Sequence, residues 1–153
     1  MQVSMHNWMR AEPVETTIRR LAKYGYNSIE ISYDSVELSP GAPGTKAVRQ
    51  MLKDNGIGCY GSISLMFSGR DLIHTDEAIR ASSVEYLKNC MTMVKELGGS
   101  TMSIVPSEVG KVRPRRDQRG GGETGRRIFL DLPISASTLS LAPISIGVMV
   151  GSA

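Results

Sequence analysis

The sequence predicts an α/β fold, and three observations support this prediction. Short runs with β-like alternation start near residues 2, 28, 58 and 100. Each of the first three runs is followed by a helical pattern of apolar residues, and a glycine ends each helical pattern. Strands that alternate with helices are typical of βαβ units, in which the strands run parallel and the crossovers have one hand.

The first βα unit begins with a strand over residues 2–6. Pro13 is expected to be the first residue of the following helix, with Glu12 and Glu15 near the positive end of the helix dipole. Gly25 is expected to end this helix, because a left-handed residue is easiest for glycine. The buried stripe of the helix is expected to consist of Val14, Ile18, Leu21 and Ala22.

The second unit begins with a strand over residues 28–32 and continues through a Pro/Gly-rich loop at residues 39–44. A shorter helix follows, and Gly56 is expected to end it. Its apolar face is expected to carry Val48, Met51 and Leu52.

The third unit begins with a strand over about residues 58–65 and contains the longest helix. Thr75 is a candidate N-cap for this helix, because acidic residues occupy the turn that follows it. Two glycines at residues 98–99 close the helix, and residues 101–105 resemble a fourth strand. The buried stripe is expected to consist of Ile79, Val84, Leu87, Met91 and Val94.

The chain of 153 residues is long enough for one domain. Four parallel strands leave open edges, whereas a closed (β/α)8 barrel typically needs about 250 residues. We therefore expect residues 1–112 to form part of a (β/α)8 TIM barrel, with about four βα units. An irregular tail is expected over residues 113–153.

This tail differs in composition from the rest of the chain. Residues 111–127 contain seven Lys/Arg and two acidic residues, and residues 132–153 carry no charge. We expect the tail to be either disordered or the product of a shifted reading frame. If the glycines at 120–122 are encoded by GGA codons, a reading frame shifted by one base would contain GAG, a codon for glutamate.

Several function classes are disfavoured by the sequence. The string at residues 120–127 is similar to a phosphate-binding loop but lacks its lysine and its Ser/Thr. The basic segment has no interleaved aromatic residues to stack on bases, so we expect no nucleic-acid partner. Prolines and serines interrupt the uncharged stretch, so we expect no membrane association, although a tail anchor stays an alternative. Cys59 and Cys90 are too few for a disulfide scaffold, which favours the cytoplasm.

Strand parity assigns the candidate site. In a parallel barrel, binding groups gather at the carboxyl ends of the strands. We expect the apolar pairs Val3/Met5, Ile29/Ile31, Ile63/Leu65 and Met102/Ile104 to face the helices. The opposite face is then expected to carry His6, Trp8, Glu30, Ser32, Ser62, Ser64 and Ser103. Burial of polar side chains inside a parallel barrel costs free energy, which a ligand, water or a polar site must compensate. The alternative to a parallel barrel is an antiparallel sheet with one face exposed to water.

The two most informative residues of this face have competing interpretations. His6 would either contact a hydroxylated substrate or be a hydrogen-bonded structural histidine. Glu30 would be an acid/base, an ion-pair partner or a support for a metal ligand, and we favour the supporting role. His74 is expected to lie at the surface before a helix, and two isolated histidines do not make a metal site.

Three passages resemble the sugar phosphate isomerase/epimerase family with the xylose-isomerase-like barrel: residues 5–9 (MHNWM), residues 24–31 (YGYNSIEI), and residues 93–98 (MVKELG) before 104–106 (IVP). The Gly-Tyr-x-x-Ile-Glu passage at the second strand is the most specific of them. The similarity covers about residues 1–112, the first half of a barrel.

The resemblance implies a divalent metal, Mn²⁺, Mg²⁺ or Co²⁺, that polarises a sugar or sugar phosphate while carboxylates move a proton through an enediolate. It also implies that the metal ligands lie on later strands, so that this chain lacks them and is a truncated, inactive form. Residues that would line the first half of the pocket are His6, Trp8, Glu30, Ser62, Ser64 and Met66. The catalytic pair stays unknown.

Two other functions stay open. The chain would act as a binding module without catalysis, a homo-oligomer that associates through its open sheet edges. Alternatively, it would be a tail-anchored membrane protein.

Overall fold

The computed structural model describes residues 3–7, 12–64, 66, 69–107 and 145–148. Its strands are β1 (Ser4–His6), β2 (Ser28–Glu30), β3 (Gly58–Ser64), β4 (Thr101–Ile104) and β5 (Ser145–Val148). Its α-helices are α1 (Val14–Lys23), α2 (Thr45–Asp54) and α3 (Glu77–Glu96). The strands form one open sheet in chain order, and all four neighbouring pairs are parallel. This confirms the predicted α/β class and the partial (β/α)8 barrel.

The boundaries of α1 and α2 follow from local chemistry. Pro13 is the N-cap of α1 and not its first helical residue, because its carbonyl accepts the first helical hydrogen bond, from the Thr17 N–H at 3.2 Å. Gly25 and Gly56 follow α1 and α2 with φ of 78° and 66°. These left-handed conformations suit glycine and confirm the two predicted helix ends.

The start of α3 corrects the sequence prediction. Asp76 and not Thr75 is the N-cap, because its Oδ1 accepts a hydrogen bond from the Ala78 N–H at 2.8 Å. His74, which is half-buried, supports this start, since its Nδ1 accepts from the Asp76 N–H at 3.0 Å. A carboxylate at the cap also interacts favourably with the positive end of the helix.

The predicted stripes of α1 and α2 are confirmed. Their most deeply buried apolar residues are Val14, Ile18, Leu21, Val48 and Leu52. The stripe of α3 is confirmed for Leu87 and Val94, which are buried. Val84 and Met91 are half-buried and pack against the core, as Ala22 and Met51 do in α1 and α2, and Ile79 is half-buried. The observed stripe of α3 consists of Ser83, Tyr86, Leu87, Cys90, Met93 and Val94. It includes polar or small residues, which an apolar pattern does not detect.

All three helices pack on one face of the sheet, where the core forms two clusters. The first cluster joins α1, α2 and the carboxyl-terminal part of α3 to Ile29, Ile31 and Cys59. The second cluster joins the middle of α3 to Met102 and Ile104, and it includes Cys90. Both cysteines are buried free thiols. The core therefore covers one side of the sheet, and the other side is left for a site.

The tail contributes one described element. Residues 145–148 form β5, which pairs with β4 so that Thr101 lies beside Ser145, and no strand was predicted there. The phosphate-loop-like string, the basic segment and most of the uncharged stretch lie outside the described residues. In the part of the chain that the structure describes, no helix has the length and apolarity needed to cross a membrane.

Candidate functional site

The candidate site is the sheet face opposite the helices, which we call the inner face. Residues that pair across parallel strands present their side chains to the same side of a sheet. His6 pairs with Glu30, Glu30 with Gly61, and Gly61 with Thr101. His6, Glu30 and Thr101 are half-buried, whereas their sequence neighbours Ile29 and Met102 are fully buried under the helices. The parity prediction is therefore confirmed for β2 and β4.

His6 and Glu30 lie side by side at the carboxyl-terminal ends of β1 and β2. Burial lowers the pKa of His6 from 6.5 to about 4, so its imidazole is neutral at pH 7. Burial also raises the pKa of Glu30 above 4.5. Both shifts have the same physical cause, because loss of water disfavours the charged form of each group.

His6 and Glu30 together can both donate and accept hydrogen bonds. A neutral imidazole presents one donor and one acceptor, and a carboxylate accepts on both oxygens. A carboxyl with a raised pKa also takes up a proton more readily and then donates. The two residues are therefore suited to a ligand with several neutral hydroxyl groups.

Two asparagine side chains hold β1 against β2. At the amino end, Asn27 Oδ1 accepts from the Val3 N–H at 2.8 Å. At the carboxyl end, Asn7 Oδ1 accepts from the Ser32 N–H at 2.9 Å, and Asn7 is 2% exposed. Neither asparagine was singled out in the sequence, since each contact spans more than twenty residues.

A bulge in β3 corrects the predicted placement of three site residues. Ile29 pairs with Cys59 but Glu30 pairs with Gly61, so β3 has one extra residue at this point. A β-bulge of this kind shifts the side chains that follow it to the other face. The three residues that the sequence placed in the pocket beyond the bulge are Ser62, Ser64 and Met66.

These three residues lie on the helix-covered side. Ser62 pairs with Met102 and Ser64 with Ile104, which belong to the core. Ser62 and Ser64 are fully buried, and Met66 is 2% exposed and part of the second cluster. The structure therefore places Ser62, Ser64 and Met66 on the helix-covered side of the sheet and not on the inner face.

The same shift moves one apolar residue of β3 to the inner face. Ile63 was expected under the helices, but it pairs with half-buried Ser103 and is itself half-buried. Trp8 lies outside the described residues, so its predicted substrate contact stays a prediction. The sequence signal for the bulge was Gly61, because a glycine inside a strand often marks one.

The loops after β2 and β3 meet in a cluster that sequence reasoning missed. Asp34 Oδ1 accepts from Arg70 Nη2 at 2.8 Å, and its Oδ2 accepts from the Tyr86 hydroxyl at 2.6 Å. The Arg70 guanidinium lies 3.9 Å from the centroid of the Tyr86 ring. Tyr33 packs edge-on against the same ring, with centroids 5.7 Å apart. The cluster joins two βα loops to α3, and its members are too far apart in sequence to form a motif.

The described residues contain no set of side chains that would bind the divalent metal implied by the resemblance. Over the described ranges, no group of three or more His, Cys, Asp or Glu side chains is arranged to hold a metal ion. His6 and Glu30 supply only two such side chains, fewer than the three protein ligands of a typical catalytic zinc site.

Comparison with known proteins identifies the fold of the chain. A family model described as "Xylose isomerase-like TIM barrel" matches residues 18–128. D-allulose 3-epimerase from Methylomonas sp., solved in complex with D-allulose, is 19% identical, with a TM-score of 0.69 over 97% of this chain and 50% of that one. L-ribulose 3-epimerase is 22% identical, with a TM-score of 0.66 over 97% of this chain and 49% of that one.

D-psicose 3-epimerase, solved in the presence of D-fructose, is 20% identical, with a TM-score of 0.65 over 88% of this chain and 50% of that one. The chain thus spans about half the length of these solved structures. No curated protein sequence matches it significantly.

Proposed function

Because this chain belongs to the xylose isomerase-like TIM barrel family, we propose that it forms the amino-terminal half of a sugar epimerase or isomerase barrel. In this proposal, His6 and Glu30 lie on the wall that faces the sugar. The observation that carries the proposal is the difference between the two faces of the sheet. One face is apolar and covered by three helices, whereas the inner face presents His6 beside Glu30.

The proposed role of His6 is to bind a sugar hydroxyl. Its imidazole is neutral at pH 7, so it accepts a hydrogen bond on one nitrogen and donates on the other. The proposed role of Glu30 is to support this contact and to hold a proton close to the ligand, which its raised pKa favours. Neither residue is proposed as the base that removes a proton from carbon.

Catalysis is proposed for the complete barrel and not for these residues alone. The structures that the chain resembles are about twice as long. The reaction that we propose for the complete barrel would move a proton at a carbon next to a sugar carbonyl, and a bound divalent metal would supply charge stabilisation there. We propose that later strands of the complete barrel supply the metal ligands; among the described residues of this chain, no three candidate ligand side chains come together.

The sugar-binding proposal has a direct test by NMR, since the chain contains only two histidines. D-fructose is titrated into the protein while the imidazole signals of His6 and His74 are followed. We expect saturable shifts at His6 and none at His74, which lies at the start of α3. Equal shifts, or none in a folded sample, would contradict the proposal.

A matched pair of variants sharpens this test. Glu30→Gln removes the carboxylate of the inner face, whereas Glu85→Gln removes an exposed carboxylate of α3 that pairs with Lys88. Glu30→Gln is expected to weaken D-fructose binding about tenfold, in line with the loss of a hydrogen bond to a charged group. Glu85→Gln is expected to leave it unchanged.

Self-association is a second candidate function, favoured by exposed apolar side chains on the sheet. Val3 next to the edge strand and Tyr60 at the bulge are 39% and 38% exposed. A dimer that buries them would show a melting temperature that rises with protein concentration. Tyr60→Lys should abolish this rise, whereas Tyr24→Lys, at an exposed tyrosine after α1, should retain it.

We also propose a cytoplasmic location. The support for it is that both cysteines of the chain are unpaired thiols, as is typical of a reducing compartment.

A further inference from the structure

Strand β1 has little to hold it in place. It contains three residues, and among the described strands it lies at the edge of the sheet and pairs only with β2. Its ladder with β2 ends at the pair of His6 and Glu30. The last pair of a short edge strand frays easily, because few hydrogen bonds oppose its opening. The site residue His6 therefore lies at a weakly held end of an edge strand.

Asn7 counters this weakness. It follows His6 directly, and its Oδ1 accepts a hydrogen bond from the Ser32 N–H, two residues beyond Glu30. The bond lies past the end of the ladder, so it extends the attachment of β1 to β2 by one step. Asn7 is 2% exposed, so competition from water is weak and opening would leave a buried polar group without its partner.

We propose that Asn7 is a positioning residue that holds His6 beside Glu30 on the inner face. Its functional meaning rests on the proposed sugar-facing role of these two residues. The asparagine acts through the backbone, since it binds the strand end and not the sugar. Without it, the carboxyl end of β1 separates from β2 and His6 becomes exposed to water.

The opposite end of β1 provides a matched control. Asn27 Oδ1 accepts from the Val3 N–H at 2.8 Å, a bond of the same chemistry between the same two regions of chain. This bond is at the amino end, on the far side of the ladder from His6. Loss of it is expected to loosen the strand start and to leave the His6 environment intact.

The test follows the titration of the His6 imidazole by NMR in the full chain, with His74 as an internal reference. In the wild-type protein we expect a pKa of about 4 for His6, because burial disfavours its charged form. Among the described residues, the β-ladder pairs His6 with one ionisable side chain, that of Glu30. Asn7→Ala and the milder Asn7→Ser are expected to move the pKa of His6 toward 6.5, whereas Asn27→Ala leaves it near the wild-type value.

Each outcome decides the proposal. A folded Asn7 variant with an unchanged His6 titration would overturn it, and so would an equal change in Asn27→Ala. If both Asn7 variants lose the native circular dichroism spectrum while Asn27→Ala keeps it, Asn7 is required for folding and the positioning role is wrong. Because the titration needs no sugar, a failure of D-fructose binding would count against the proposed function and leave this result in place.

Discussion

Glu30 lies beside Gly61 in the sheet, although Ile29, one residue earlier, lies beside Cys59. The extra residue in β3 lets Glu30 sit next to a position without a side chain. It also turns the serines that follow toward the helices. The composition of the inner face is therefore decided by one irregular step in one strand.

The close approach of β3 and β4 at this step predicts a large effect of Gly61→Ala. A Cβ at Gly61 would lie 2.0 Å from the carbonyl oxygen of Thr101, so the backbone of β3 or β4 would have to shift. We expect the free energy of unfolding to fall by about 3 kcal/mol, as for other overpacked sites. Urea unfolding measures this change. Gly58→Ala in the same strand is the control, because its Cβ would meet only the Asn27 carbonyl oxygen at 3.8 Å.

Half-buried His6, whose imidazole is neutral at pH 7, predicts a dependence of stability on pH. Its pKa is lower in the folded chain, about 4, than the ordinary 6.5, so the unfolded chain binds more protons between these values. The contribution of His6 to stability is therefore fully present above pH 6.5 and is lost as the pH falls from 6.5 through 4.

Urea unfolding of the wild type and His6→Gln across this pH range isolates the effect. The difference in unfolding free energy between the two proteins should change steadily below pH 6.5. A difference between the two proteins that stays constant from pH 6.5 to 4 would count against the burial of His6. Glu30 acts in the opposite direction, because its raised pKa makes protonation favour the folded chain as the pH falls.

The loop cluster predicts a cost for the loss of one hydroxyl group. Tyr86→Phe keeps the ring under the Arg70 guanidinium but removes the hydrogen bond to Asp34. We expect a loss of about 2 kcal/mol in the free energy of unfolding, the range for a hydrogen bond to a charged group. Tyr24→Phe, at a tyrosine that is 68% exposed, should change it little. Equal effects of the two changes would show that the cluster contributes no stability.

The start of α3 predicts different effects for two neighbouring residues. Asp76→Ala removes the side-chain acceptor of the Ala78 N–H and should cost about 1 kcal/mol. Thr75→Ala should cost much less, because the Thr75 side chain is not the cap. Thermal unfolding at pH 7 compares the two variants. The reverse order of effects would restore Thr75 as the cap.

Much of the fold was predictable from the sequence because strand and helix periods are local. The positions of four strands, the ends marked by Gly25 and Gly56, and the inward direction of Glu30 all follow from patterns of a few residues. The placement of Ser62 and Ser64 was not predictable in this way, because parity assumes a regular strand.

The contacts that complete the candidate site were out of reach for a different reason. Asp34 meets Arg70 and Tyr86 only after two loops and a helix have been placed, and their spacing forms no motif. Asn7 likewise reads as an ordinary polar residue until β2 lies beside it. Local periodicity does not encode such contacts, which are long-range consequences of the fold.

Each core cluster contains one of the two cysteines: Cys59 lies in the first cluster and Cys90 in the second. Burial raises the pKa of each thiol to about 12, so neither forms a reactive thiolate while its cluster is closed. An alkylating reagent will therefore label each cysteine at the rate at which its own cluster opens. Peptide mapping of the label reports whether the two clusters open together, as one cooperative unit, or separately.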